Sequence, residues 1–311
     1  MNALLADLGK QLVTKWTAAL MVPGALFAGA VLLAGVLGQR HAVDPRMLGE
    51  WSNRIATGRT HESGTALLVA VAGFLLGAAA AGLLAGAVGF FVEWTWGLTG
   101  SVAPLSWLAR SRRRRWARAD AEAVSAQRAL LADIDDSTLR ARARQAILDR
   151  DAICLVPAER PTWVGDRLRA ADVRMHRGYA IDLTTVWPRM WLVLPQPARD
   201  ELTAVQERCA SAARMGGWGV LYVLLGVFWW PGLAIGVAVL LIARYRARLA
   251  VGVYTDLIES TVDLYGRELA TQLGLACPGR LSPEVGAQIS AIVRKDEVAR
   301  LPPAGPPPVG A

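Results

Sequence analysis

The residue types that usually carry chemistry are few in this chain and widely spaced. Three histidines, His41, His61 and His176, and three cysteines, Cys154, Cys209 and Cys277, are scattered along 311 residues with no CxxC and no His/Cys pairing at ligand spacing. No metal site is expected of them, and the thiols read as reduced, buried side chains on the cytoplasmic side of a membrane. The run Asp133-Ile134-Asp135-Asp136 resembles the clustered carboxylates with which some cyclases protonate a substrate. No second acidic motif or aromatic pocket accompanies it, so a capping turn, with Asp136 or Ser137 as N-cap, is the reading adopted. A Gly-rich phosphate loop, a GxSxG elbow and a paired His/Glu motif are all missing from the sequence. The expectation is a protein without catalytic residues or cofactor, and not an enzyme.

The elements that would position any site are dominated by apolar blocks. Hydrophobic residues make up 53% of the chain and charged ones 19%, and the apolar residues are collected into runs instead of recurring at the spacing of a soluble fold. Residues 16–38 and 65–92 contain no charge. Each is longer than the roughly 20 residues that span about 30 Å of hydrocarbon at about 1.5 Å per residue. The predicted fold class is therefore all-α, a polytopic membrane protein with four transmembrane helices in two hairpins and a helical cytoplasmic domain. The small residues at 28–30 resemble a signal-peptide cleavage site, but the apolar run continues to Leu37, so an uncleaved anchor is expected.

Orientation follows from arginine. Net charge is +8, and twenty arginines lie between residues 99 and 216. Basic residues near membrane ends are retained on the cytoplasmic face, which places that block inside and residues 39–63, with four Arg and three acids, outside. The remaining apolar block, 215–243, is a harder case. One straight helix over it would be about 43 Å long, would put Trp229 and Trp230 near the bilayer centre, and would strand Arg244, Arg246 and Arg248 outside. A tight hairpin turning at Trp229-Trp230-Pro231-Gly232 avoids all three problems, at the cost of short legs; a single kinked span and a re-entrant loop are the alternatives. The expected organisation is an interfacial amphipathic helix at 1–15, a first transmembrane hairpin at 16–98, a helical cytoplasmic domain at 99–214, the tight hairpin at 215–243, C-terminal cytoplasmic helices at 244–300 and a disordered Pro-rich tail at 301–311. Both termini are then cytoplasmic, in the cell membrane.

Within lipid, helices associate where small residues let backbones approach. Gly73, Gly77, Ala81, Ala85 and Gly89 form one such row, with Ala78, Gly82 and Gly86 as a second and Ala30, Ala34 and Gly38 as the answering row in the first span. Packing within one chain is expected, and a homo-oligomeric contact is the sharper alternative. The spans carry almost nothing polar, which argues against a transporter.

In the cytoplasmic domain, Thr162 is expected to cap an amphipathic helix with a Val164, Leu168, Ala171, Met175 stripe and a stop at Gly178. His176 is expected to pair with Asp172 on its solvent face. Asp182 should cap a short helix ended by Pro188, and Ser282-Pro283 should open the last one. Arg112, Arg113, Arg114 and Arg115 read as a juxtamembrane cluster facing anionic lipid, and nucleic acid is not expected as a partner.

The stretches "RPTWVGDRLRAAD", "YAIDLTTVWPRMWLVLP" and "YTDLIESTVDLYGREL", with the "FWWP" block, resemble uncharacterised integral membrane proteins of actinobacteria over most of residues 100–275. Trp187, Pro188, Arg189, Trp191 and Pro195 carry the likeness. It implies the membrane architecture and no mechanism. Trp163, Trp187, Arg189 and Trp191 are the residues expected to dock on the membrane or on a partner. The functional expectation is a membrane-embedded scaffold or adaptor whose cytoplasmic domain recruits a protein partner; the alternative is an oligomeric channel or membrane-permeabilising effector.

Overall fold

The computed structural model describes residues 21–39, 41, 42, 44–47, 49, 50, 53, 64–99, 103 and 105–295. The stretch 1–15, the tail 301–311 and much of the loop 39–63 lie outside the described residues. Every regular element described is a helix, so the protein is all-α. The helices used below are α1 (Met21–Leu37), α2 (Gly64–Trp96), α3 (Leu105–Ala132), α4 (Ser137–Ile153), α5 (Trp163–Tyr179), α6 (Leu183–Val193), α7 (Gln196–Leu225), α8 (Trp230–Gln272) and α9 (Pro283–Arg294). The chain divides into two compact units, with boundaries at Thr95/Trp96, Arg208/Cys209 and Ala247/Arg248. The two long helices α7 and α8 each contribute to both.

The first unit holds α1, α2, the C-terminal part of α7 and the N-terminal part of α8. Among the described residues one segment, Leu68–Trp96 in α2, is long and apolar enough to cross a bilayer; α1 is a shorter apolar helix. Four spans are thus not given by length and composition alone. The helices meet through small residues. Gly24 of α1 lies against the Ala78 carbonyl, and Gly217 of α7 against the Ala85 carbonyl. A Cβ on Gly89 would come 2.8 Å from the Arg214 Cα. Between α2 and α7 the numbers fall along one helix as they rise along the other, from Ala85 with Gly217 to Gly89 with Arg214, so these two run antiparallel.

Residues 215–243 form two helical legs joined at 226–229. The last turn of α7 tightens, with the Gly226 N–H shared between the Tyr222 and Val223 carbonyls, and Pro231 falls in the first turn of α8, where its missing N–H costs no helical bond. The legs are antiparallel and close. A Cβ on Gly219 would reach the Leu240 Cγ at 2.7 Å, one on Gly236 the Val223 nitrogen at 2.5 Å, and one on Gly226 the Leu233 Cβ at 2.6 Å. The tip packs on the end of α1, where Ala30, Ala34, Ala42, Leu225 and Trp229 form one buried cluster.

In the second unit, α3 and α4 form a helical hairpin. Its contact face is largely alanine: Ala109, Ala123, Ala126 and Ala143 are buried. Trp116 joins its base to the 154–158 segment by donating to the Cys154 carbonyl at 2.8 Å. The main core comes from α5, α6, α9 and the C-terminal half of α8, centred on Met175, Ile181, Met190, Val262, Leu269 and Ile289. The expected caps are formed: Asp136 accepts from the Thr138 and Leu139 N–H groups, Thr162 from Gly165, Asp182 from Thr185 and Ser282 from Val285. Val164, Ala171 and Met175 of the expected stripe are buried.

Three expectations are corrected. α5 does not stop at Gly178 but ends on Ala180, which takes the left-handed conformation at φ 52°; tight packing of Ile181 just beyond fixes the chain there. Pro188 does not end α6, which continues to Val193 because the buried Val186 and Met190 hold the helix across it. His176 is exposed and makes no ion pair with Asp172.

Candidate interaction surfaces

The four-arginine run is split by the fold. Arg112 points inward and gives two bonds to the Asp166 Oδ2, from Nε at 3.0 Å and Nη2 at 2.8 Å, plus one to the Ile153 carbonyl. Asp166 is fully buried. Its other oxygen accepts the backbone N–H groups of Glu159 and Arg160 at 2.8 and 2.7 Å. One carboxylate therefore ties α3, α5 and the 159–160 backbone together with every acceptor site used, the condition under which a buried charge is tolerated. Arg112 is thus a structural residue and not a lipid ligand. Arg113, Arg114 and Arg115 are exposed.

The tryptophans expected to dock outward are turned inward. Trp187 and Trp191, with ring centroids 6.5 Å apart, pack against the Leu194, Leu202 and Ile258 cluster. Trp163 donates to the Ala152 carbonyl at 3.3 Å, and the Arg248 guanidinium lies 4.6 Å above its ring, a cation–π contact. Of the expected quartet only Arg189 is exposed; it donates to the Thr185 carbonyl one turn back. Arg189 borders an open groove of about 420 Å³ between α6 and α8, with Leu192, Val193, Glu268, Gln272 and Leu273. Leu192 is 77% exposed at its edge. The groove lining mixes Leu192, Val193, Leu269 and Leu273 with one cation, Arg189, and one anion, Glu268.

The small-residue row of α2 is also divided. Ala81, Ala85 and Gly89 are buried in helix contacts, joined by Ala78 of the second row. Gly73 and Gly77 have nothing within 4 Å of a Cβ, so they take no part in packing among the described residues.

Two polar features carried no sequence signal. Gln39 clamps the hairpin tip, donating to the Gly226 and Val227 carbonyls at 3.2 and 2.7 Å and accepting from the Trp230 N–H at 3.0 Å. The buried Trp229 indole donates to the Ala42 carbonyl at 3.0 Å. Along α5 and α8, Arg167 pairs with Asp256 at 2.7 Å, Arg174 with Glu259 at 3.1 Å, and the Tyr179 hydroxyl donates to Asp263 at 2.6 Å. Burial pushes the Glu259 carboxyl up, with Arg174 opposing, and the Asp263 bond pushes the Tyr179 hydroxyl up.

None of the cysteines is poised for reaction. All three are buried; burial pushes the Cys154 thiol up, and burial with the nearby Glu93 raises Cys209 to about 11, the reverse of an activated nucleophile. Among the described residues no three His, Cys, Asp or Glu side chains gather as a metal site would require. Comparison of the chain with family models, with curated proteins and with solved structures finds no match.

Proposed function

We propose that this chain is a non-enzymatic, multi-pass membrane adaptor: α1, α2 and the α7/α8 hairpin cross the bilayer, and the helical second unit recruits a protein partner on the cytoplasmic face. The crossing of the hairpin is supported by its clamped tip. Gln39, just past the end of α1, and the turn 226–229 satisfy each other's polar groups, so the hairpin reaches whatever face α1 reaches. Its legs then return Arg214 and Arg244 to one common side, as the retention of basic residues requires.

The observation that carries the adaptor reading is the α6/α8 groove, an exposed apolar edge at Leu192 flanked by Arg189 and Glu268 on a unit with its own core. Purification of the full chain in mild detergent is expected to bring a stoichiometric protein partner that Leu192→Asp releases while leaving the chain folded. A chain that purifies alone, or a partner retained equally by Leu192→Asp, sinks the reading. The channel alternative finds less support, because α1, α2, α7 and α8 meet backbone to backbone; single-channel recording of the purified protein tests it.

A further inference from the structure

We propose that the outward face of α3 is a binding surface for anionic lipid headgroups, formed by Trp107, Arg110, Arg114 and Arg118; this rests on the membrane reading above. The four residues follow at i, i+3, i+7 and i+11 and so share one helical face. The opposite face carries Ala109, Trp116 and Ala123, which with Arg112 form the packed side of the helix. All four outward residues are exposed, Trp107 to 66%, and Leu108 beside it to 42%.

Two independent features point to the same ligand. The first is charge. Arg110, Arg114 and Arg118 stand four apart, a like-charge column that destabilises a helix by about 0.2–0.5 kcal/mol per pair. Most acids near it are engaged elsewhere: Asp120 and Asp151 hold Arg150, and Asp166 holds Arg112, while Glu122, exposed one turn beyond Arg118, forms no ion pair with the column. Arg110 gives its Nε to its own Ser106 carbonyl, and Arg110, Arg114 and Arg118 form no ion pair among the described residues. A planar guanidinium fork fits a phosphate bidentately.

The second feature is Trp107, at the first turn of the same face, with the exposed Leu108 on its flank. Indole prefers the headgroup level of a bilayer, and an exposed Leu beside it is an apolar contact that water does not reward. Leu105, where α3 starts, follows the end of α2 at Trp96 by nine residues, so on the membrane reading at most about 30 Å of extended chain separates it from the end of the span. An aromatic at the end next to the span with guanidinium groups along the row is the composition of a juxtamembrane basic segment that binds anionic lipid.

The test uses the full chain in vesicles of phosphatidylcholine alone or mixed with phosphatidylglycerol. Leu108→Cys receives a fluorophore, and lipids carrying a doxyl quencher report its contact with the bilayer. The native thiols are buried, so the label goes to the introduced one. A second label at Leu76→Cys, on the exposed face of α2, reports insertion independently. Quenching at L108C is expected in the anionic vesicles, and is expected to be lost in phosphatidylcholine alone and in the R110Q/R114Q/R118Q variant, with L76C quenched throughout. An L108C label that stays unquenched while L76C is quenched overturns the proposal and leaves the membrane reading standing. L108C quenching that ignores both lipid charge and the triple variant also overturns it. If neither label is quenched, the membrane reading falls and the lipid surface with it.

Discussion

Asp166 shows how one residue sets local structure. Its carboxylate is wholly buried, yet both oxygens are filled, by Arg112 on one side and two backbone N–H groups on the other. Asp166→Ala leaves the Arg112 guanidinium with only the Ile153 carbonyl and two amides without a partner, and is expected to cost about 3 kcal/mol, seen as a lower Tm of the detergent-solubilised protein. Asp166→Asn keeps an acceptor for the two amides but turns an NH2 donor toward Arg112 and loses the ion pair, so a smaller drop is expected; equal Tm values for the two variants would contradict the assignment. The capping residues Thr162, Asp182 and Ser282 are legible in the sequence because a cap is a local contact, complete within three residues. The Asp166–Arg112 pair is not, since it joins positions 54 apart and an Arg in a run of four has no local mark of its own.

At the scale of elements, the α5 terminus and the α7/α8 hairpin give opposite lessons. Ala180 sits in the left-handed region at φ 52°, where a Cβ costs about 1 kcal/mol or more. Ala180→Gly is expected to raise the Tm, and no rise would mean that the strain is already relieved by packing. In the hairpin the glycines are contact surfaces. Gly236→Val drives side-chain atoms into the Val223 backbone and is expected to destabilise by about 1–3 kcal/mol or to prevent assembly. Gly73→Val, where nothing lies within 4 Å, is expected to be tolerated; thermal unfolding of both in one detergent decides. Period and composition predict helices throughout, and the chain is all-α. Composition does not say which small residues of α2 are used, because that depends on where α1 and α7 come to lie.

For the whole molecule, the proposed topology predicts a single compartment for everything after the hairpin. A C-terminal fusion to a reporter active only in the cytoplasm should be active, one to a reporter active only outside should be silent, and the chain beyond Arg248 should survive protease added to intact cells. Cleavage there overturns the four-span arrangement and the lipid surface of α3 together. The clamp at Gln39 belongs to this scale as well, since it joins residues 187 and 188 apart in sequence. It fixes the hairpin tip to the end of α1, and no sequence pattern encodes it.

By itself the sequence determined the helical class, the apolar blocks and the caps, because each depends on composition or on neighbours within a few residues; it put the turn of the hairpin at 229–232, three residues later than the structure does. Only the tertiary structure decided that Arg112 turns inward while Arg110, Arg114 and Arg118 face out, that Trp187 and Trp191 lie half-buried against the core, and that Arg189 borders a groove. A helix offers several faces of similar composition. Which one is buried is set by the elements that arrive against it from far along the chain.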